Sequence, residues 1–329
     1  MSQTQLTDTF GRLHNYLRIS LTDKCNFRCT YCMPDEKMKF MSSDKLMNAE
    51  EIVKMTAVFQ QLGVSKVRLT GGEPTLRRDL IDIITGIKAL GISPSITTNG
   101  ASIQQYIDDF QENNIDVNVS IDTLQKEKFI QISQRDLLGA VKTNIEEMVR
   151  RKMKVKLNVV LLRGFNDNEI IDLVNYAAAL GVEIRFIEYM PFFGNSWEYE
   201  KVYTRKEILR DISVYGAIEP IISPNDSTSE NYLIPATGAK FGIISTVSNP
   251  FCQGCSRLRL TADGKMKNCL FSNDETDLLS PLRIGENLMP LIRENILRKK
   301  KTAAGRIDFN NEKAAVQYAQ NRSMIAIGG

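Results

Sequence analysis

The sequence predicts an α/β fold: a partial (β/α)6 TIM-like barrel over residues 1–190, and an α+β extension over residues 191–329 that covers its open end. Three observations lead there. Six short apolar segments alternate with helical stretches between about residue 17 and residue 190. Glycines follow several of the helical stretches, at Gly63, Gly91 and Gly181, where a helix C-cap belongs. The alternation breaks after Pro191, where loops rich in Pro, Gly and Ser take over.

The first strand is Leu17–Leu21. A helix follows over Asn48–Leu62, with Ile52, Met55, Val58, Phe59 and Leu62 near one face. Lys66–Thr70 is a strand that runs into Gly71-Gly72. Helix Asp79–Leu90, strand Pro94–Thr98, helix Ala101–Glu112 and strand Ile115–Ile121 come next. Helix Leu137–Arg151, strand Lys154–Leu161, helix Asp167–Leu180 and strand Val182–Ile187 complete six units. Repeated βα units require parallel strands with right-handed crossovers. Six units fall short of the eight of a full barrel, and an open doubly wound sheet is the rival arrangement. In both, chemistry belongs at the C-terminal ends of the strands. The extension holds a helix over Thr204–Ser213, loops over Ile221–Gly238 and a strand over Phe241–Val247. Leu297–Lys301 (LRKKK) reads as a basic helix end or a solvated face, without function.

Composition narrows the function. With 43% hydrophobic and 25% charged residues, the chain has the make-up of an ordinary soluble enzyme. No apolar run of membrane-spanning length occurs, and Met1–Phe10 is too polar for a secretory signal, so the expected location is cytoplasmic, with no membrane partner. A net charge of +3, from 42 basic and 39 acidic residues, is too weak a bias for a nucleic-acid partner. It still permits a local basic pocket for a small anion.

The six cysteines fall into two groups of three. Cys25, Cys29 and Cys32 directly follow the first strand, where a barrel puts its active site. Three thiolates at this spacing can close around one face of a [4Fe–4S] cluster and leave one iron open for a small molecule. The rival readings are a zinc site or three unrelated buried thiols. Zinc usually takes four ligands, and His14 is the chain's single histidine. Cys252, Cys255 and Cys269 repeat the argument for a second cluster, against a structural zinc or a cluster completed by an external thiol. Arg257 and Arg259 alternate on an extended run beside them, so both point to one side, and arginine forks suit phosphate.

With Tyr31 before its last cysteine, the first group resembles the radical S-adenosylmethionine (radical SAM) superfamily. Gly71-Gly72-Glu73-Pro74 looks like that family's motif for the cofactor's methionine amino group. Two glycines let backbone approach a ligand, and a carboxylate or a carbonyl can meet an ammonium. Both cysteine groups together resemble, over nearly the whole chain, the GTP 3′,8-cyclase family of molybdenum-cofactor biosynthesis. The stretches that carry this likeness are Leu21–Cys29, Arg68–Pro74, Thr97–Gly100, Val119–Asp122, Ile184–Met190, Cys252–Cys269 and the terminal Gly328-Gly329.

The resemblance implies two [4Fe–4S] clusters and S-adenosyl-L-methionine as cofactors. A 5′-deoxyadenosyl radical would take hydrogen from C3′ of GTP, and C3′ would attack guanine C8. It implies cofactor contacts at Tyr31, Gly72, Ser120 and Met190. Substrate contacts would be Arg18, Arg68, Thr97, Lys156, Arg185, Arg257 and Arg259. Gly328 and Gly329 would form a flexible tail entering the site. Expected partners are an electron donor such as flavodoxin or ferredoxin and a cyclic pyranopterin monophosphate synthase that takes the product; a homodimer fits a chain of this type. The chain departs from the family at Lys24, usually arginine, at Gln125, often acidic, and at Gln134-Arg135-Asp136. A peptide-modifying radical enzyme and a non-catalytic zinc protein are the alternatives. The first usually carries more C-terminal cysteines; the second would hold zinc without iron.

Overall fold

The structure is a computed structural model and describes residues 5–32, 39–195, 197–305 and 321–328. Six parallel strands form its centre: β1 (Tyr16–Ser20), β2 (Lys66–Thr70), β3 (Pro94–Thr98), β4 (Asp116–Ser120), β5 (Val155–Leu161) and β6 (Glu183–Glu188). They lie side by side in chain order, as right-handed βα crossovers dictate. The helices between them are α1 (Ala49–Gln61), α2 (Leu80–Ala89), α3 (Ile107–Glu112), α4 (Lys126–Ser133), α5 (Leu138–Arg150) and α6 (Ile170–Ala179). The sequence pattern does not disclose α4, whose eight residues carry only Phe129 and Ile132 as buried apolar side chains.

Asn48 caps α1 reciprocally with Glu51: each side chain accepts the other residue's backbone N–H. Ile52, Met55 and Phe59 of α1 are fully buried against the sheet.

The extension does more than cover an open end. β9 (Ala239–Ile244) pairs in parallel with β6, and β10 (Arg257–Leu260) pairs in parallel with β1. The parallel run therefore has the order β10-β1-β2-β3-β4-β5-β6-β9. Antiparallel strands continue both edges: β8 (Glu230–Ile234) and β7 (Glu219–Ile221) on one side, β11 (Lys265–Lys267) and β12 (Thr276–Asp277) on the other. Helix α7 (Arg205–Tyr215) packs on α6, α8 (Leu279–Arg283) on α1, and α9 (Met289–Leu297) on β11 and β12. The sheet crosses residue 190 without a break, and the strands that widen it, β7 to β12, come from residues 219–277.

Each parallel strand has two faces, because successive side chains alternate. Leu17, Ile19, Val67, Leu69, Ile96, Val117, Val119, Leu157, Val159, Ile184, Phe186, Leu258 and Leu260 join the main apolar core. The alternate positions turn inward to a lumen, and most of the side chains there are polar or charged, with Val160, Ile187 and Ile244 as apolar members. Among the described residues no helix is long and apolar enough to cross a membrane.

Candidate active site

The lumen is a cavity of about 600 Å³. All six cysteines line it. So do Tyr31, Gly72, Ser120 and Met190, and so do Arg18, Arg68, Thr97, Lys156, Arg185, Arg257 and Arg259. Gly328 reaches it through Arg259, whose Nη1 donates to the Gly328 carbonyl. Gly329 lies outside the described residues.

Strand register explains the gathering. Arg259 on β10, Arg18 on β1 and Arg68 on β2 are direct neighbours across the sheet. Thr97, Asn118, Lys156 and Glu183 form a second row, and Ser120, Asn158, Arg185 and Gly242 a third. Gly242 makes room for Arg185, since a Cβ there would come within 3.0 Å of its Cγ.

The basic field is strong and under-compensated. Arg259 is 6% exposed, and burial, Arg18 and Arg257 together hold its charge well below the usual arginine range. Burial, then Arg68, brings Arg185 down to about 10. Arg185 donates to Asn118 Oδ1 at 2.6 Å. Among the described residues the buried Nε atoms of Arg18 and Arg185 have no hydrogen-bond partner, and the carboxylate nearest Arg185 Nε is that of Glu183, at 3.6 Å. Arg68 is held by Tyr16 Oη (2.6 Å) and Thr97 Oγ1 (3.4 Å). Burial alone would raise the Tyr16 hydroxyl, yet Arg18 and Arg68 bring it down to about 8. Lys156 differs from the arginines: its ammonium pairs with Glu183 at 2.7 Å and is half exposed. Orphaned donors and crowded guanidinium groups in one lumen suit a multiply charged anion.

The first cysteine group sits in the loop after β1, pressed against the turn after β2. A Cβ on Gly72 would lie 2.3 Å from the Lys24 carbonyl, so only glycine lets the two loops close up. Glu73 does not point at the cavity. Its carboxylate is fully buried and accepts from Thr75 N and Oγ1, Thr98 Oγ1 and Asn99 N at 2.6–3.1 Å. The carboxylate therefore staples two strand ends together, and the part of the motif that faces the cavity is glycine backbone. Phe27 N lies 3.4 Å and Asn99 Nδ2 3.8 Å from Cys25 Sγ. Tyr31 donates to Asp122 (2.8 Å), whose carboxyl burial pushes up to about 6.

The second group lies across the lumen. Ala303 N donates to Cys252 Sγ at 3.4 Å, and Arg257 stacks on the Phe251 ring at 4.6 Å. The LRKKK stretch needs correction here. Lys299, expected on a solvated face, is 4% exposed, and its Nζ lies 3.5 Å from Cys255 Sγ. Its surroundings come from segments far away in the chain, which a local basic run cannot reveal. Asp122, Asn99, Asn158 and Tyr16 are further lining residues that sequence reasoning missed. Asn99 and Asp122 stand in the recognised motifs, and the inward phase of β1 and β5 was a signal for Tyr16 and Asn158.

Each trio fits a [4Fe–4S] cluster. All six thiols are free of disulfides and face one cavity, and Cys25, Cys252 and Cys255 receive N–H donors of the kind that stabilise cluster sulfurs. Neither trio closes to the range of a single ion among the described residues, and a cubane holds its thiolates farther apart than one ion does.

An incomplete barrel with three cysteines behind its first strand and a glycine pair behind its second defines the radical SAM class, and the profile of that superfamily matches residues 19–177. The profile "Molybdenum Cofactor Synthesis C" matches residues 182–305. The chain belongs to the GTP 3′,8-cyclase family of molybdenum-cofactor biosynthesis. It is 38% identical over 332 residues to the mitochondrial GTP 3′,8-cyclase of Arabidopsis thaliana, covering 98% of this chain and 83% of that protein. It is 40% identical over 335 residues to molybdenum cofactor biosynthesis protein 1 of Mus musculus, covering 98% of this chain and 51% of that one. The chain thus spans about half the length of the curated animal relatives it matches. Streptococcus suis SuiB bound to its precursor peptide SuiA superposes with a TM-score of 0.68 over 95% of this chain and 72% of that one. At 14% identity that likeness is one of fold.

Proposed function

We propose that this chain converts GTP to (8S)-3′,8-cyclo-7,8-dihydroguanosine 5′-triphosphate, an early step of molybdenum-cofactor biosynthesis. The observation that carries the reading is the single cavity onto which both cysteine trios and the arginine row open. When bound at Cys25, Cys29 and Cys32, a [4Fe–4S] cluster with S-adenosylmethionine supplies a radical that removes hydrogen from the ribose C3′.

The chain's own residues bind and orient. Gly72 offers backbone close to the first trio, and Ser120, Tyr31 and Met190 complete a pocket for the sulfonium cofactor. Arg18, Arg68, Arg185, Arg257 and Arg259 take the triphosphate, which relieves their mutual repulsion. Thr97, fixed by Arg68, and Lys156 border the same ligand. Cys252, Cys255 and Cys269 would hold the second cluster, whose open iron would bind the purine of GTP. The tail supports the arginines: Gly328 packs where a Cβ would meet Thr70 Oγ1 at 2.2 Å, and its carbonyl accepts from Arg259.

A flavodoxin- or ferredoxin-type donor, delivery to a cyclic pyranopterin monophosphate synthase, a cytoplasmic location and a homodimer belong to the same reading. Anaerobic reconstitution with iron and sulfide, then reductant, S-adenosylmethionine and GTP, tests it. The expected products are 5′-deoxyadenosine and the cyclised nucleotide in step. Deoxyadenosine alone would reject GTP as substrate. Replacing the chemical reductant by reduced flavodoxin tests the donor, and sedimentation of the loaded protein tests the dimer. A chain lacking Gly328 and Gly329 should cyclise more slowly; unchanged cyclisation would remove the tail from the site.

A further inference from the structure

Lys299 buries a charge for which the described residues supply no carboxylate. Its Nζ donates to the Arg257 carbonyl at 3.1 Å and to the Cys255 sulfur at 3.5 Å. Burial, Arg12 and Arg257 all disfavour its charge, and the groups that favour it are the Cys255 and Cys269 sulfurs. A buried ammonium without an anion is strongly unfavourable, so the sulfurs are its partners. Lys299 does not line the cavity, whereas Arg257 does. Its charge is therefore applied from the protein side and is not spent on a bound substrate.

The chain holds this lysine in place from its other end. The Arg12 guanidinium donates to the carbonyls of Lys300 (2.8 Å), Lys301 (2.8 Å) and Cys252 (2.9 Å). Asp8 fixes Arg12 in turn, accepting from its Nε at 2.6 Å and its backbone N–H at 3.0 Å. One arginine thus ties the loop of Cys252 to the segment of Lys299.

We propose that Lys299 is a positioning residue of the second cluster, held by the Asp8–Arg12 clamp, whose N–H···S hydrogen bond to Cys255 raises that cluster's reduction potential. The inference rests on reading Cys252, Cys255 and Cys269 as cluster ligands. A fixed cation beside a ligand sulfur favours the more negative, reduced state of a cluster over the oxidised one.

The test is a redox titration of the reconstituted two-cluster protein, monitored by electron paramagnetic resonance, with iron and sulfide analysis. Lys299→Met should lower the reduced-to-oxidised ratio of the second cluster at least tenfold at a fixed potential, about 59 mV for one electron. Lys299→Arg should titrate close to the wild type, and the first cluster should not move in either. A second cluster in Lys299→Met that titrates with the wild type overturns the inference. Should Lys299→Met load only the first cluster, Lys299→Arg decides: a retained second cluster at wild-type potential supports the charge, and its loss reduces Lys299 to packing. A wild-type protein with iron for one cluster overturns the reading of the second trio itself.

Discussion

The two cysteine trios have the same ligand count and opposite surroundings. Around the first, burial and then Glu73 push Cys25 up to about 11, and burial with Cys25 and Asp122 pushes Cys32 up to about 12. Around the second, burial raises Cys252, but Arg257 and Lys299 overrule burial at Cys255 and bring it down to about 6. The first trio is thus set among carboxyls, where the thiols keep their protons until iron displaces them to solvent. The second is set among cations, of which Arg257 also faces the lumen. A sulfonium cofactor, positively charged, suits the first environment; a triphosphate suits the second.

The largest effect should come from removing a thiol on either side. Cys29→Ser should abolish 5′-deoxyadenosine formation, and Cys255→Ser should leave it while ending cyclisation. Loss of deoxyadenosine in both variants would break the division of labour.

The thiols themselves report the contrast once the metal is stripped. A lowered pKa populates thiolate at lower pH, so Cys255 should alkylate at pH 7 roughly 50-fold faster than Cys25, after allowance for the weaker nucleophilicity of a low-pKa thiolate. The Cys255 rate should level off above pH 7 while that of Cys25 keeps rising. Peptide mapping by mass spectrometry reads both, and equal rates at pH 7 would erase the electrostatic difference.

Arg259→Leu sharpens the substrate side. Losing one charge-assisted contact, worth about 1.5–3 kcal/mol, should weaken GTP binding about 10- to 100-fold and leave S-adenosylmethionine binding unchanged. Because burial and Arg18 already disfavour its charge, the melting temperature without GTP should hold or rise. A fall would mean that Arg259 serves stability. Calorimetry measures both quantities.

The smallest change lies away from both trios. Asn48→Ala removes the α1 cap and should cost about 1 kcal/mol in denaturant unfolding, with neither cluster's loading altered.

The six central strands were legible because alternation is local: Leu17 and Ile19 face the core while Arg18 between them faces the lumen. The pairing of β9 with β6 and of β10 with β1 was not, since nothing in Arg257–Leu260 names its neighbour. The helix α4 stayed hidden because its buried face is too short to show a period. The Glu73 carboxylate, which the motif allows to meet a ligand, is turned inward by four donors from three residues.

By itself the sequence determined the class of chemistry, because ligand identity and spacing in Cys25, Cys29 and Cys32 are local covalent facts. It also determined the second trio and the one-sided pair Arg257 and Arg259. Only the tertiary structure decided what surrounds each sulfur. The groups that set the charge at Cys255 and fix it there, Lys299 and Arg12, stand 44 residues after it and more than 200 before it. Electrostatic environment depends on distance through space, and folding, not chain order, sets that distance.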